Sequence, residues 1–168
     1  MTMEKTNVKY NAYIKILEEE LRPAMGCTEP IALAYAAAVA RKVLGELPDK
    51  VVIGASGSII KNVKSVIVPN TDHLKGIPAA AAAGIVAGDP DKELEVIASV
   101  EKEAIAEMKE FLEKTPISVE HVDNGFTFEI VVTLYKGEAW SRVRIVNFHT
   151  NIVLIEKNGE ILKEVPVE

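Results

Sequence analysis

The hydrophobic residues change their spacing near Pro116, and this change limits the folds open to the chain. Before Pro116 the apolar residues mostly recur at helical spacing, and several segments are rich in alanine. Over 126–135 apolar and polar residues alternate, as in a half-buried strand. Asn158-Gly159 stands between two apolar runs and is typical of a hairpin turn. These patterns predict an α+β fold, in which Ala-rich helices pack with a mainly antiparallel β-sheet or meander.

The predicted elements follow one another without an internal repeat or a low-complexity linker. We expect one domain over 1–168, helical over 8–47, mixed over 51–115 and a β meander over 117–167. Helices are predicted over 8–21, 31–44, 77–87 and 99–114. Extended segments are predicted over 51–55, 63–68, 126–135, 139–146, 152–156 and 161–167. A turn is predicted at 56–58, and hairpin turns are predicted at 124–125, 136–137 and 158–159.

The acidic balance of the chain argues against some classes of function. The formal net charge is −6 and the pI is about 5.2, whereas a nucleic-acid-binding protein needs a basic face. No stretch is apolar for long enough to span a bilayer, and residues 1–11 lack the apolar core of a signal peptide. A single cysteine cannot form an intrachain disulfide, so we expect a cytoplasmic protein.

That cysteine, Cys27, lies just before a predicted helix. Gly26 permits a tight turn there, and Pro30 suits the first turn of the helix. The positive end of the helix dipole favours a thiolate, which can be a nucleophile, a redox thiol or a metal ligand. The alternative is a small buried apolar side chain, since free cysteine is among the most buried residue types. The chain has no HExxH motif and no Cys/His cluster, so it cannot build a full metal site by itself.

Two polar loops are candidates for binding a small ligand. Gly54–Ser58, with Asn62 soon after it, follows a predicted strand, and its glycines free backbone N–H groups to face an anion such as a carboxylate. An ordinary β-turn explains the same residues. Pro69–Gly76 joins an extended segment to an Ala-rich helix, although most such loops only turn the chain. His149 lies between two predicted strands, where a turn is the simpler interpretation.

Four segments, in order along the chain, resemble one known family. They are LRPAMGCTEP (21–30), SGSIIKNVK (56–64), VPNT (68–71) and HTNI (149–152), and the similarity runs over 12–161. These segments resemble the L-cysteine desulfidase family, which is also described as serine dehydratase-like. Members of that family are longer than this chain, so the resemblance implies the N-terminal portion of a longer protein.

The resemblance implies an iron–sulfur lyase with a 4Fe-4S cluster and no pyridoxal phosphate. Such an enzyme splits L-cysteine into sulfide, ammonia and pyruvate, with dehydration of L-serine as the related reaction. Three cysteines hold the cluster; Cys27 matches one, and the other two are implied to lie beyond Glu168. The fourth iron stays open and acts as a Lewis acid toward the leaving group. On this chain alone we expect no bound cluster and no activity.

Residue roles follow from the same resemblance. Ser56 and Gly57 are implied to cradle the carboxylate of a small amino-acid substrate. Asn62, Asn70 and Thr71 are implied to contact and orient that substrate.

The implied catalytic residues are Glu29, as base or ammonium partner, and His149 as the second candidate. The chain departs from the family pattern at Ser58, where Asn is common, and at Asp72-His73, where two glycines are common. These departures make a small amino acid a firmer prediction than cysteine itself.

Two alternatives remain open from the sequence. One is a non-catalytic module that binds a small ligand or has a structural role. The other is one subunit of a two-chain enzyme, whose partner supplies the missing ligands. The expected partners are therefore a small amino-acid substrate and either a missing C-terminal portion or a second subunit. A homo-oligomer is compatible with each alternative. We expect no nucleic-acid partner and no membrane partner.

Overall fold

The structure is a computed structural model that describes residues 28–64, 66–68, 71, 74–97 and 100–166. Within these residues four α-helices and six β-strands follow one another along the chain. The helices are α1 (Thr28–Leu44), α2 (Gly57–Val63), α3 (Gly76–Ala87) and α4 (Lys102–Lys114), with a 3-10 helix at Pro90–Glu95. The strands are β1 (Lys50–Ala55), β2 (Ile117–His121), β3 (Glu129–Lys136), β4 (Ala139–Val146), β5 (Ile152–Lys157) and β6 (Glu160–Glu164).

The strands of the described residues form one mixed sheet in the order β2-β1-β3-β4-β5-β6. Strands β3 to β6 pair antiparallel in sequence order, which confirms the predicted meander for this part of the chain. β1 pairs in parallel with β2 and antiparallel with β3. Helices and sheet together confirm the α+β class.

The hairpin predicted at Asn124-Gly125 is wrong, because β2 and β3 are not neighbours in the sheet. β1 lies between them, and its apolar residues Val51, Ile53 and Ala55 are fully buried. The segment from 122 to 128 therefore crosses the end of β1 instead of turning between adjacent strands.

Helices α1 and α3 are parallel and very close together. A Cβ added at Gly84 would lie 2.0 Å from the carbonyl oxygen of Ala34, and one added at Gly88 would lie 2.8 Å from the Cβ of Ala38. Both contacts advance in the same direction along the two helices, so the helices begin at the same end of the domain. The many alanines of both helices allow this approach, and Gly84 permits the closest point.

The core lies between these helices and one face of the sheet. Ile130, Val132 and Leu134, which alternate along β3, have no exposed surface. The hydroxyl of Ser141 in β4 donates a hydrogen bond of 2.8 Å to the carbonyl oxygen of Ala40 and connects the sheet to α1. Side chains alternate between the two faces along β3 and β4. The face opposite the core carries Glu129, Thr133, Arg142 and Arg144.

Other local predictions differ from the structure. The predicted turn at 56–58 is the start of α2, which forms because Ile59 and Val63 become buried. The extended segment predicted over 63–68 is reduced to one isolated bridge between Ile67 and Lys75. The helix predicted over 8–21 lies outside the described residues. Among the helices that the structure describes, none combines the length and the apolar character that a membrane span requires.

Candidate functional site

Several strands begin or end at one end of the sheet, called the loop end below. β1 ends there at Ala55, and β3 begins there at Glu129. β4 ends at Val146, which pairs with Glu129, and β5 begins beside it at Ile152. The segment after β1 and the loop 147–151 therefore lie at the same end of the sheet.

Helices α1 and α3 also begin at the loop end. α2 follows β1 directly and contacts both of them. Gly76, the first residue of α3, donates its N–H to the carbonyl oxygen of Val66, just after α2 ends. Since α1 is parallel to α3, its first residue, Thr28, lies at this end too. Glu29 is partly buried in the first turn of α1, and Cys27 lies outside the described residues.

Ser56 is held firmly between β1 and β3. Its hydroxyl donates to the carbonyl oxygen of Thr127 at 2.8 Å and accepts from the N–H of Glu129 at 3.1 Å. The hydroxyl of Ser58 donates to the same Thr127 oxygen. Ser56 is 2% exposed, so its hydroxyl orders the start of α2 and has no second proton to donate to a substrate.

Gly57 lies against the imidazole of His121, the last residue of β2. A Cβ at position 57 would lie 3.3 Å from the Nε2 of His121. The His121 ring is exposed and flanks the start of α2. Asn62 lies on the exposed side of α2, where its amide faces solvent.

Thr71 is completely buried. Its hydroxyl donates a hydrogen bond of 2.7 Å to the carbonyl oxygen of Val68, which shapes the turn before α3. Asn70, Asp72 and His73 lie outside the described residues. In this conformation the Thr71 side chain therefore stabilises its own loop.

His149 has the most unusual environment of the predicted residues. Its Nε2 is buried and has no hydrogen-bond partner within the described part of the chain. Its ring meets Phe128 edge to face, with 4.8 Å between ring centroids and 60° between ring planes. The loop is fixed by Asn147, which has a φ of 72°, and by the Asn151 amide, which donates to the carbonyl oxygen of Val146 at 2.8 Å. An unpaired buried nitrogen is costly, so this atom requires an explanation, such as a catalytic role or a bound water or ion.

A buried ion pair at the loop end was not predicted. Glu129 is 1% exposed, and its carboxylate accepts from the Nε of Arg144 at 2.7 Å and from the Asn124 amide at 3.0 and 3.1 Å. Glu129 and Arg144 lie two residues apart in register on the same face of the β3–β4 hairpin. The period-two pattern and the Lys136-Gly137 turn would have been enough to find this pair.

The predicted residues thus fall into three groups. Ser56, Gly57, Glu29 and His149 lie on segments that meet at the loop end, and Thr71 lies in the turn before α3. Asn62 points to solvent from the same region. No group of three or more His, Cys, Asp or Glu residues that could hold a metal ion occurs within the described residues.

Comparison with known proteins gives relatives that are longer than this chain. A UPF0597 protein of Desulfitobacterium hafniense (strain Y51) is 54% identical over 162 residues, which are 96% of this chain and 38% of that protein. A UPF0597 protein of Treponema denticola is 45% identical over 166 residues, with 99% of this chain and 38% of that protein covered. A UPF0597 protein of Vibrio campbellii is 38% identical over 161 residues, which are 95% of this chain and 38% of that protein.

The chain therefore spans about 38% of the length of these curated relatives. No protein-family model matches the chain. No solved structure matches it.

These relatives correct the family prediction. They match almost the whole chain and are described as UPF0597 proteins, so assignment to the L-cysteine desulfidase or serine dehydratase-like family is wrong.

Proposed function

We propose that this chain is one portion of a lyase that removes a β-substituent from a small amino acid. L-Cysteine and one water molecule would give sulfide, ammonia and pyruvate, and L-serine would give ammonia and pyruvate. In this proposal Cys27 is one ligand of a 4Fe-4S cluster in a longer protein, and the reaction takes place in the cytoplasm.

The observation that carries the proposal is the meeting of separate polar segments at the loop end. The start of α1 directly follows Cys27, and the turn after β1 and the His149 loop lie at the same end of the sheet. The positive end of the α1 dipole favours a thiolate at a cysteine just before it. A thiolate, an unpaired imidazole nitrogen and a partly buried carboxylate are suitable groups for elimination chemistry.

This chain could supply one thiolate ligand to an iron–sulfur cluster but not all of the ligands that a cluster needs. The chain has a single cysteine, and iron–sulfur clusters are held mainly by cysteine thiolates. The remaining ligands would have to come from outside the chain. The length of the relatives, of which this chain spans about 38%, leaves room for them.

Elimination requires a base at the α-carbon and an acid at the leaving group. His149 suits the base, because its buried Nε2 has no competing hydrogen bond within the described residues. Glu29, in the first turn of α1, would bind the ammonium group of the substrate. When bound, the cluster would supply a Lewis acid for the leaving group.

Substrate orientation falls to backbone groups more than to hydroxyls. The Ser56 and Thr71 hydroxyls already donate to Thr127 and Val68. The N–H groups of Gly57 and Ser58 lie in the first turn of α2, where they have no partner within the helix. These two N–H groups are the ones we assign to the substrate carboxylate.

The test uses a longer protein that carries this chain, prepared without oxygen. Cys27→Ser is expected to lower the iron content and abolish sulfide release from L-cysteine and pyruvate formation from L-serine. His149→Gln is expected to keep the iron and to lower kcat by about 100-fold or more, with a smaller change in KM.

Phe148→Gln is the matched control, since Phe148 is in the same loop and is 67% exposed. It should leave iron content and kcat near their wild-type values. Normal iron content and turnover in Cys27→Ser would remove Cys27 from the site and contradict the proposal.

A further inference from the structure

A cavity of about 350 Å³ lies at the end of the domain opposite the loop end. Helices α1 and α3 end beside it, and the last turns of α4 form its far wall. Its size is within the range of small-ligand sites in proteins. The residues that line it are Arg41, Leu47, Val86, Glu107, Glu110, Phe111, Lys114 and Thr115.

The floor of the cavity is apolar. Phe111 is almost completely buried, and Val86 is partly buried. Leu47 lies beside them after the end of α1, and 45% of its surface is exposed. A ligand with an aliphatic group would cover this exposed surface and gain from its removal from water.

Two of the four charges at the rim neutralise each other. Lys114 and Glu110 form an ion pair one helical turn apart on α4. The hydrogen bond that Lys114 donates, together with its charge, lowers the pKa of Glu110 below its ordinary value. This pair therefore presents little net charge to a ligand.

The other two charges retain binding capacity. The Nη1 of Arg41 donates a 2.6 Å hydrogen bond to the carbonyl oxygen of Ile85, which uses one of five guanidinium N–H groups. Glu107 has neither a hydrogen-bond nor an ion-pair partner within the described part of the chain. The cavity thus combines one cation with spare donors, one unpaired carboxylate and an apolar floor.

We propose that this cavity binds a free α-amino acid with an aliphatic side chain. The ligand carboxylate binds Arg41, its ammonium group binds Glu107, and its side chain packs on Leu47, Val86 and Phe111. A ligand with only one charge would leave one of the two protein charges without a partner in the cavity. This site is independent of the proposed lyase function.

The test uses the 168-residue chain and three matched probes. The probes are L-leucine, 3-methylbutylamine, which lacks the carboxylate, and 4-methylpentanoate, which lacks the ammonium group. Titration calorimetry measures affinity, and amide chemical shifts in ¹⁵N-labelled protein locate the site. L-Leucine is expected to shift the amide signals of Leu47, Val86 and Phe111, and each analogue is expected to bind roughly fivefold more weakly or worse.

Glu107→Gln is expected to weaken L-leucine binding by roughly fivefold, because it removes the charge without changing the size of the side chain. Glu103→Gln is the control, since Glu103 is exposed on the same helix outside the cavity. Equal affinity for all three probes, shifts confined to the loop end, or no binding of L-leucine would each overturn the proposal.

Discussion

The Nε of Arg144 lies 2.7 Å from the Oε2 of Glu129, and this ion pair connects β3 and β4 at the loop end. The backbone of Glu129 is bonded at the same point to Ser56, through its N–H to the Ser56 hydroxyl and through its oxygen to the Ser56 N–H. The pair thus stabilises the strand that holds the start of α2.

The first prediction concerns this pair. Glu129→Gln is expected to lower the free energy of unfolding by about 3 kcal/mol, because it leaves Arg144 without its partner in a largely buried place. Adding Arg144→Met should restore a substantial part of the loss, since no uncompensated charge then remains. Urea denaturation of the single and double variants measures both changes.

Glu156→Gln is the control for the first prediction. The Oε1 of Glu156 lies 3.7 Å from the Nη1 of Arg142, and this pair is more exposed, so we expect a loss of less than about 1 kcal/mol. Equal losses in Glu129→Gln and Glu156→Gln would show that burial does not strengthen the Glu129 pair.

The second prediction concerns the crossing of α1 and α3. In Gly84→Ala the new Cβ would lie 2.0 Å from the carbonyl oxygen of Ala34, a backbone atom that cannot rotate away. We expect a loss of more than about 2 kcal/mol in unfolding free energy. Gly57→Ala is the control, because its Cβ would meet only the movable ring of His121 at 3.3 Å, and its effect should stay within about 1 kcal/mol. A Gly84→Ala protein as stable as Gly57→Ala would contradict the close helix contact.

The third prediction concerns the β5–β6 hairpin. Asn158 has a φ of 52°, and its Oδ1 accepts a 2.8 Å hydrogen bond from the N–H of Trp140. Asn158→Ala loses this bond and adds left-handed strain, so it should cost about 2 kcal/mol. Asn158→Gly loses only the bond and should cost about half as much. Asn158→Asp keeps the acceptor oxygen and should cost least.

Trp140 is the only tryptophan, so its fluorescence during urea denaturation reports on these variants directly. An order in which Asn158→Asp is the least stable would show that the bond to Trp140 contributes nothing.

The fourth prediction concerns the isolated chain. After anaerobic reconstitution with iron and sulfide, we expect no cluster absorbance and no sulfide release, because one thiolate cannot hold a cluster. Absorption spectroscopy and a sulfide assay measure both properties. A stable brown and active preparation would contradict the proposal that the other cluster ligands come from outside this chain.

Local patterns were enough to predict most elements. The strand predicted over 139–146 was found as Ala139–Val146, and the Asn158-Gly159 turn joins β5 to β6 as expected. A hairpin depends on neighbouring residues and on a backbone conformation that Asn and Gly adopt easily. For the same reason the Ala-rich segments predicted α1 and α3 within a few residues of their observed bounds.

Partners distant in the chain were not predictable in the same way. A short apolar run with β-branched residues marks β1 as a strand, but it says nothing about the parallel pairing with β2 that separates β2 from β3. The short helix α2 forms where a turn was predicted, because burial of Ile59 and Val63 outweighs the preference of Ser and Gly for turns.

For the candidate site, the sequence by itself determined which residues carry chemistry: a single thiol before a helix, a Ser-Gly-Ser segment after a strand, and a histidine between strands. Only the tertiary structure decided what each of them is free to do. It brings these segments to one end of the sheet, uses the Ser56 and Thr71 hydroxyls in internal hydrogen bonds, and leaves the Nε2 of His149 unpaired within the described residues. The physical reason is that hydrogen bonds and burial depend on which distant segments meet, whereas propensity and spacing act only along the chain.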